Sequence, residues 1–440
     1  MQSKSKLIET PLYVYKTGED LPILIGELGF ISDTQNEFLA QFNYDASYII
    51  RPDAFAIDPL NMPLAAPTKE YSTTNRYHVL GALFDAAPDA WGRKVISAKV
   101  GVSQASEKTI LLKGNGMGVG ELFFSASLLE SNPTFLKIPT IDQIEQLASP
   151  ITQVDEGAKF NPAWENLLIS SWDIGGARPK AIVLDESGEH WIAKFPRKGE
   201  TYDRQRVEWA NLEMAADIGM DVPERRLIET QYGAVLLVKR FDRSLDKKSH
   251  YLSAASVISP SPTIDKRQID APIGQATFSY ARIADTIQRI SNYPSRDLQE
   301  LYARMVFNVL THNTDDHLKN TGFLRVKDAR DPYAYRLSPL FDVVTQEGSL
   351  KHMLQIGKAG RESTIENALS NVRRMRIKED AAQKIVQIAR SVFDRRAEYY
   401  DRAGLQSDEV EALERCFTWL RSARVADVEI EDEESGSAPR

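Results

Sequence analysis

The sequence predicts an α+β protein built from about two or three folded units. Its 440 residues exceed what a single compact core usually holds. Short alternating apolar stretches, which are typical of strands, dominate the first part of the chain. Apolar residues at helical spacing dominate the last part, so strands and helices are expected in separate regions.

Changes in composition along the chain indicate four segments. Residues 1–130 form a first mixed α/β domain, with strands expected at Leu12–Tyr15 and Ile23–Leu28. Residues 131–243 begin as a proline-bearing connector with a short helix near Ile141–Leu147. Residues 244–424 are mainly helical but open with a polar stretch, 244–275, that we predict as a surface loop. Residues 425–440 form an acidic tail whose composition predicts disorder.

Charge and cysteine content exclude several classes of function. The net charge of −8 does not supply the basic surface that extended phosphate neutralisation requires. A single cysteine, Cys416, excludes an intramolecular disulfide and a thiolate-rich metal site. The first residues lack the apolar core of a signal peptide, and no window approaches the roughly 20 apolar residues of a membrane span. We therefore expect a cytoplasmic protein that does not enter membranes.

The segment Asn313–Asn320 has the spacing of a phosphoryl-transfer loop. Asp315 and Asn320 are separated by four residues, as in the pattern D-x-x-x-x-N. In that chemistry the aspartate accepts the proton of the attacking hydroxyl, and the asparagine oxygen helps to hold a metal ion that bridges the phosphates. This spacing predicts that Asp315 is the catalytic residue and Asn320 a metal ligand.

A predicted hairpin brings a second carboxylate to this loop. Strand candidates at Gly322–Val326 and Tyr333–Leu337 would turn the chain back on itself. Asp342 would then return beside Asn320 as the other oxygen ligand, which suits Mg²⁺.

Two other interpretations of the same loop remain open. Asp315, Asp316 and Asn320 could form a solvated turn that caps neighbouring helices. Alternatively, Asp315, Asp316 and His317 could form a hydrolytic metal site, although a single histidine is more often a structural residue.

Upstream residues could bind the phosphates of a nucleotide. Gly175 and Gly176 precede a strand candidate, and glycines allow backbone N–H groups to approach phosphate closely. The same two glycines could also form an ordinary tight turn.

A lysine and a glutamate could form the second part of this nucleotide site. Lys194 lies in an apolar strand, where its ammonium needs an anion or must extend to water at the strand end. Glu208 shares a helical face with Leu212 and Ala215, so its carboxylate also needs a partner. A strand lysine paired with a helix glutamate holds the α- and β-phosphates in protein kinases.

The segment after the strand candidate Val235–Val238 could connect two lobes. Its backbone would meet adenine, and Phe241 would provide an apolar wall for the base. A simple strand end fits the local sequence equally well.

The ordered motifs resemble those of the HipA family of bacterial toxin kinases. In the first domain the similar segments are Phe42–Tyr44, Ala56–Leu64, Ala86–Arg93 and Gly114–Gly120. Seven further blocks appear in the family's order: GGARPK (Gly175–Lys180), IAKFP (Ile192–Pro196), Glu208, GMDVP (Gly219–Pro223), VKRFDR (Val238–Arg243), TDDHLKN (Thr314–Asn320) and SPLFDVV (Ser338–Val344). Their common order makes the resemblance much more specific than any single motif.

The resemblance implies a two-lobed, protein-kinase-like fold preceded by the small N-terminal domain. It also implies a serine/threonine protein kinase that uses ATP and Mg²⁺, with Asp315 as proton acceptor and Asn320 and Asp342 as metal ligands. The residues expected around ATP are Gly175, Gly176, Ala177, Lys180, Lys194, Glu208, Lys239, Phe241, His317 and Lys319.

The family's biology implies partners as well. The chain would be the toxin of a toxin–antitoxin pair, with a helix-turn-helix, HipB-like antitoxin as its partner. Its substrate would be a protein of translation such as an aminoacyl-tRNA synthetase, and phosphorylation would halt growth and favour persistence. Contact with DNA would be made mainly by the antitoxin, in agreement with the acidic balance of this chain.

The sequence departs from the family at one regulatory position. The family commonly carries an autophosphorylated serine three residues before the second glycine of the GGA-like loop, where this chain has Asp173. Ser170 or Ser171 could take over the modification, or the carboxylate of Asp173 could imperfectly replace a phosphate.

Two alternative functions are compatible with the same motifs. A small-molecule kinase would share the catalytic loop and differ only in its acceptor. A catalytically silent, kinase-like regulatory subunit would keep the fold without phosphoryl transfer.

Overall fold

The computed structural model describes residues 7–8, 10–19, 21–32, 38–73, 79–114, 116–130, 138–168, 176–245, 247–259, 276–326 and 334–417. The strands in these ranges are β1 (Leu7–Ile8), β2 (Leu12–Lys16), β3 (Ile23–Ser32), β4 (Phe38–Tyr44), β5 (Tyr71–Ser72), β6 (Leu122–Ser125), β7 (Lys180–Leu184), β8 (His190–Lys194), β9 (Arg225–Thr230), β10 (Gly233–Lys239), β11 (Arg243–Ser244), β12 (Lys247–Lys248), β13 (Tyr251–Ser253), β14 (Gly322–Arg325) and β15 (Tyr335–Leu337).

The α-helices in the same ranges are α1 (Ala46–Ile49), α2 (Gly81–Asp85), α3 (Ala90–Val100), α4 (Glu107–Lys113), α5 (Ile144–Asp155), α6 (Glu165–Leu168), α7 (Arg204–Ile218), α8 (Ala254–Ile258), α9 (Tyr280–Ile290), α10 (Pro294–Leu310), α11 (Ile365–Leu369), α12 (Glu379–Phe393), α13 (Arg396–Ala403) and α14 (Ser407–Cys416). Short 3₁₀ helices occur at Ile141–Gln143, Pro162–Trp164 and Leu318–Asn320. None of the described helices has the length and apolar content needed to cross a lipid bilayer.

The N-terminal region is organised around an antiparallel sheet with the strand order β5-β4-β3-β2-β6, on which β1 also pairs with β3. Aromatic side chains fill its interior, and the Tyr44 hydroxyl donates to the Met62 carbonyl and accepts from the Ile57 amide. These bonds satisfy a buried hydroxyl that would otherwise cost stability. The strands predicted in this region are confirmed, and β3 extends the predicted strand to Ser32.

A second antiparallel sheet, with the order β7-β8-β10-β9, contains a hairpin formed by β7 and β8. Alternate residues of β8 face opposite sides of the sheet. Trp191 and Ala193 are buried in an apolar cluster on one side, so Ile192 and Lys194 point to the other. The period of the strand therefore fixes which side of this sheet carries charged groups.

Helix α5 covers the apolar side of this sheet and is longer than predicted. The sequence indicated a short helix near Ile141–Leu147, whereas the structure has a 3₁₀ turn followed by α5, which continues through Pro150 to Asp155. Ile151 and Val154 of α5 are buried in the same cluster as Trp191. Burial of this apolar stripe compensates for the unfavourable proline inside the helix.

The prediction of a surface loop at 244–275 is wrong for the residues of this stretch that the structure describes. Tyr251–Ser253 forms strand β13, which pairs with β14, and α8 follows directly. Leu252 and Ala254 are completely buried. The apolar run was too short to give a periodic signal, because its burial depends on strand β14 some 70 residues further along the chain.

Helix α10 leads into the predicted catalytic loop, and β14 leads out of it. Met305, Val309 and most of the other apolar residues of this helix are buried. The predicted hairpin is confirmed by pairing of β14 with β15, in which Phe323 lies opposite Leu337. The segment that contains Asp342 therefore starts next to the end of the catalytic loop.

Candidate active site

A cavity of about 430 Å³ lies between the charged side of the second sheet, α7 and the loop at Asn313–Asn320. The predicted site residues that line it are Gly176, Ala177, Lys180, Lys194, Glu208, Lys239, Phe241, Asp315, His317, Lys319, Asn320 and Asp342. Gly175, Ser170, Ser171 and Asp173 lie outside the described residues. The cavity thus brings together residues from segments far apart in the sequence.

Two lysines lie side by side on the floor of this cavity. Lys180 of β7 is directly opposite Lys194 of β8, so both side chains project from the same side of the sheet. Burial, together with the neighbouring Lys194, lowers the pKa of Lys180 to about 8. A concentration of positive charge in a partly closed cavity favours an anionic ligand.

Lys194 forms the predicted ion pair with Glu208. Its Nζ lies 2.6 and 2.8 Å from the two carboxylate oxygens of Glu208, and 3.0 Å from Oδ1 of Asp342. Burial acts to lower the pKa of Lys194, but the carboxylates of Asp342 and Glu208 raise it well above its ordinary value. Lys194 is therefore held as a cation between two carboxylates.

Asp342 is held in a special backbone conformation beside α7. Its φ angle of 61° lies in the left-handed region, which is costly for most residues and is common at functional sites. Its amide donates to Glu208 at 3.1 Å, and Asn211 of α7 donates to the next carbonyl, that of Val343, at 3.1 Å. The Lys194 ammonium holds the pKa of Asp342 well below its usual range, so this carboxylate is ionised at neutral pH.

The predicted catalytic loop presents Asp315 to solvent and keeps Asn320 largely buried. The Asn320 Nδ2 lies 3.5 Å from the Asp315 carbonyl oxygen, so the amide nitrogen faces the loop's own backbone. An exposed carboxylate at the edge of this cavity can accept a proton from an incoming hydroxyl.

Asp316 points away from Asp315 and into the protein interior. Its carboxylate accepts hydrogen bonds from the Tyr280 hydroxyl and, at 2.9 Å, from Asn308 Nδ2. It thereby fixes the base of the loop on α9 and α10. This geometry does not favour the hydrolytic metal site, because Asp316 and Asp315 do not face a common point.

We expect Asp316→Asn to stabilise the protein at pH 7. Burial raises the pKa of Asp316 from 3.8 to about 6, so the unfolded chain ionises this group more readily than the folded one. The ionised carboxylate therefore costs stability above pH 6, and the cost disappears as the pH falls towards 4. Urea unfolding should show a gain on the order of 2–3 kcal/mol at pH 7 that shrinks at pH 4.5. A variant that is less stable at pH 7 would contradict this assignment.

Asn320 and Asp342 supply suitable oxygen ligands for Mg²⁺. An amide and a carboxylate are hard donors, and Mg²⁺ usually keeps several waters in addition to one or two protein ligands. Among the described residues no group of three or more His, Cys, Asp or Glu side chains could hold a metal. The residues present therefore fit a cation whose remaining ligands are water and phosphate oxygen.

The connector after β10 combines cavity and structural residues. Phe241 lies next to Phe341, with ring centroids 5.6 Å apart and ring planes tilted by 37°, and both residues line the cavity. Lys239 lines the same cavity, and its ammonium lies 3.2 Å from the Glu224 carboxylate. The neighbouring Arg240 and Asp242 also line the cavity and form a buried ion pair at 2.7 Å.

Residues of the N-terminal region also line the cavity, and sequence reasoning assigned none of them to the site. They are Phe84, Asp85, Ala87, Asp89, Ala90 and Val119. Most of them lie in or next to the block Ala86–Arg93, whose only functional signal in the sequence is its resemblance to the family. A proline followed by an N-capping aspartate predicts a helix start and carries no signal for a distant cavity.

Comparison with known proteins identifies the fold and the family. The family model "HipA-like C-terminal domain" matches residues 172–396. A solved structure titled Shewanella oneidensis toxin–antitoxin system HipA, HipB and its operator DNA complex superposes with a TM-score of 0.64. That match covers 94% of this chain and 95% of the other at 18% identity, and it confirms the predicted two-lobed α+β fold with its N-terminal domain.

Similar proteins by sequence include one of Sinorhizobium fredii named "Putative kinase Y4dM", which is 25% identical over 48% of this chain. A Haemophilus influenzae protein named "Putative kinase" is 25% identical over 39% of this chain. The matches cover 57% and 52% of these relatives, so this chain spans little more than half of their lengths. Because the family model covers more than half of the chain and includes every motif from Gly175 to Asp342, the protein belongs to the HipA-like family.

Proposed function

We propose that this chain is a Mg²⁺- and ATP-dependent serine/threonine protein kinase. The observation that supports it most strongly is the Lys194–Glu208–Asp342 cluster in a cavity that Asp315 and Asn320 also line. Each of these side chains has the residue type that phosphoryl transfer requires, and each lies on the strand, helix or loop that carries it in protein kinases. The names of the related proteins, which describe kinases, agree with this function.

In the proposed mechanism, the lysines orient the phosphates and the loop activates the acceptor. The ammonium groups of Lys180 and Lys194 bind phosphate oxygens on the floor of the cavity. Asn320 and Asp342 would hold Mg²⁺, which neutralises charge on the phosphates when it is bound. The Asp315 carboxylate accepts the proton of the acceptor hydroxyl as its oxygen attacks the γ-phosphorus of ATP, and the bond from that phosphorus to the β-phosphate oxygen breaks, so that ADP leaves. Phe241 packs against the base beside the connector.

Incubating the purified chain with a bacterial lysate and γ-labelled ATP tests this function. We expect label in acid-precipitable protein on serine or threonine, dependent on Mg²⁺ and lost with a chelator. Label confined to the small-molecule fraction would instead support the small-molecule kinase. A chain that neither binds Mg-ATP nor transfers label would refute the proposal.

We also propose a role as the toxin of a toxin–antitoxin pair. The chain belongs to the HipA-like family, and its fold matches over almost its full length a HipA that was crystallised with HipB and operator DNA. The partner would be a small helix-turn-helix antitoxin, and the substrate a protein of translation such as an aminoacyl-tRNA synthetase. Expression of the chain alone should arrest growth, and co-expression of a neighbouring helix-turn-helix protein should restore it. Growth that is unaffected by the active chain would contradict this role.

A further inference from the structure

The N-terminal region contributes one carboxylate that contacts two functional loops at once. Asp89, the residue that caps α3, accepts the Gly176 amide on Oδ2 at 2.7 Å. Its other oxygen, Oδ1, lies 3.2 Å from the ammonium of Lys319. Gly176 belongs to the glycine loop, and Lys319 lies immediately before Asn320 in the catalytic loop. Asp89 thus joins the loop expected at the phosphates to the loop expected to carry the catalytic base.

The surrounding contacts hold this carboxylate and both loops in place. Trp91 donates its amide to the Gly176 carbonyl and its indole N–H to the Lys180 carbonyl, each at 2.9 Å. The backbone on both sides of Ala177–Pro179 is therefore bound to the start of α3. The Lys319 ammonium also lies 4.6 Å from the centroid of the Phe84 ring, which belongs to α2. Two helices of the N-terminal region fix Lys319 from one side.

The environment keeps Asp89 charged. Burial acts to raise the pKa of Asp89, but the Lys319 ammonium and the Gly176 amide outweigh it and lower the pKa below its ordinary value. Gly176 has a φ angle of 98°, and a Cβ at this position would lie 2.4 Å from the Lys180 ammonium. The loop therefore lies against Lys180 in a conformation that only glycine adopts readily.

We propose that Asp89 is a positioning residue of the nucleotide site, through which the N-terminal region aligns the glycine loop with Lys319 of the catalytic loop. The inference rests on the proposed kinase function and adds that the N-terminal region is required for a complete nucleotide site. The kinase-like part by itself would lack the carboxylate that contacts both loops.

Asparagine and alanine at position 89 separate the two contacts. Asp89→Asn keeps one oxygen, which can still accept the Gly176 amide, but it places an NH2 group where Oδ1 now meets the Lys319 ammonium and the Ala90 amide. We expect kcat to fall on the order of 10-fold or more, with the Kd for Mg-ATP changed less than about 3-fold. Asp89→Ala removes both contacts, so Mg-ATP should also bind more weakly. A purely structural role predicts a kcat for Asp89→Asn equal to that of the wild type.

A double variant tests whether Asp89 acts through Lys319. If it does, Asp89→Asn combined with Lys319→Met should be no slower than Lys319→Met alone. The matched control is Asp45→Asn. The Asp45 carboxylate caps α1 in the same region by accepting the Ser47 amide, and it does not line the cavity. This control should retain the kinetics of the wild type. Additive losses in the double variant would overturn the inference.

A measurement without nucleotide separates this inference from the proposed function. Hydrogen exchange of the Gly176 amide should be at least about 10-fold faster in Asp89→Ala than in the wild type, because its acceptor is lost. Unchanged exchange would overturn the loop contact whether or not the chain is a kinase. Faster exchange in a chain without phosphoryl transfer would refute the proposed function and still support the contact between Asp89 and the glycine loop.

Discussion

Asp315→Asn is expected to lower kcat for phosphoryl transfer by about 10²–10⁴-fold, while the affinity for Mg-ATP stays close to that of the wild type. The Asp315 carboxylate is exposed at the cavity, whereas the proposed phosphate ligands Lys180 and Lys194 lie on its floor. An isosteric amide keeps the size of the side chain and loses the ability to accept a proton. Steady-state kinetics with calorimetric binding of Mg-ATP would measure both quantities.

The control for this variant is Asp408→Asn, which removes one negative charge from an exposed position on α14. It should leave kcat and nucleotide affinity unchanged. If Asp315→Asn kept the activity of the wild type, a proton acceptor other than Asp315 would be required. If growth arrest persisted in an inactive variant, a regulatory binding protein would explain the data better than a kinase.

Local sequence patterns predicted the parts of the site that lie within one hairpin or one helix. The alternation of β8 places Lys194 on the side of the sheet opposite Trp191, and the helical period of α7 places Glu208 among buried residues. Because each of these two buried charges needs a partner, their pairing could be inferred before the structure was known. The hairpin of β14 and β15 likewise predicted that Asp342 returns to the catalytic loop.

The parts that escaped prediction depend on contacts between distant segments. Asp89 reaches Gly176 and Lys319 across long stretches of chain, and a capping aspartate has the same local sequence with or without such contacts. The loop prediction for the polar stretch that contains β13 is wrong for the same reason, since its pairing partner is supplied by β14. Periodicity describes the faces of an element and contains no information about which distant surface covers them.

The connector after β10 also contains charged residues whose contacts with a distant segment could not be predicted from the sequence. The sequence suggested a role for Lys239 and Phe241 at the nucleotide, yet the alternate residues Arg240 and Asp242 are the buried ones. Arg240 donates to the carbonyls of Met117 and Gly118 at 2.6 and 2.7 Å, and Asp242 accepts the Gly120 amide at 2.8 Å. These bonds attach the connector to the glycine-bearing loop of the N-terminal region. Gly120 of this loop has a further structural explanation, since a Cβ atom at this position would lie 3.1 Å from the Tyr251 amide nitrogen.

Asp242→Asn is expected to destabilise the whole protein by about 3–5 kcal/mol. The Asp242 side chain is only 5% exposed, and it is paired with Arg240 at 2.7 Å and with Arg243 at 3.5 Å. Burial acts to raise the pKa of Asp242, but the two guanidinium groups lower it well below its usual range. Removing this one negative charge leaves the two buried guanidinium groups without a carboxylate as counter-charge, although the amide has nearly the same shape. Chemical denaturation at neutral pH would measure the loss.

The exposed pair of Lys198 and Glu156 provides the control, because its side chains are 77% and 48% exposed. Glu156→Gln should change the unfolding free energy by no more than roughly 1 kcal/mol. Since the Asp242 carboxylate stabilises the fold only while it is ionised, the difference between wild type and Asp242→Asn should shrink as the pH falls below the ordinary carboxyl pKa near 3.8. A variant as stable as the wild type would show that the arginines are satisfied by the carbonyls of the Met117–Gly120 loop alone. In that case the buried charges would not be what holds the connector against the N-terminal region.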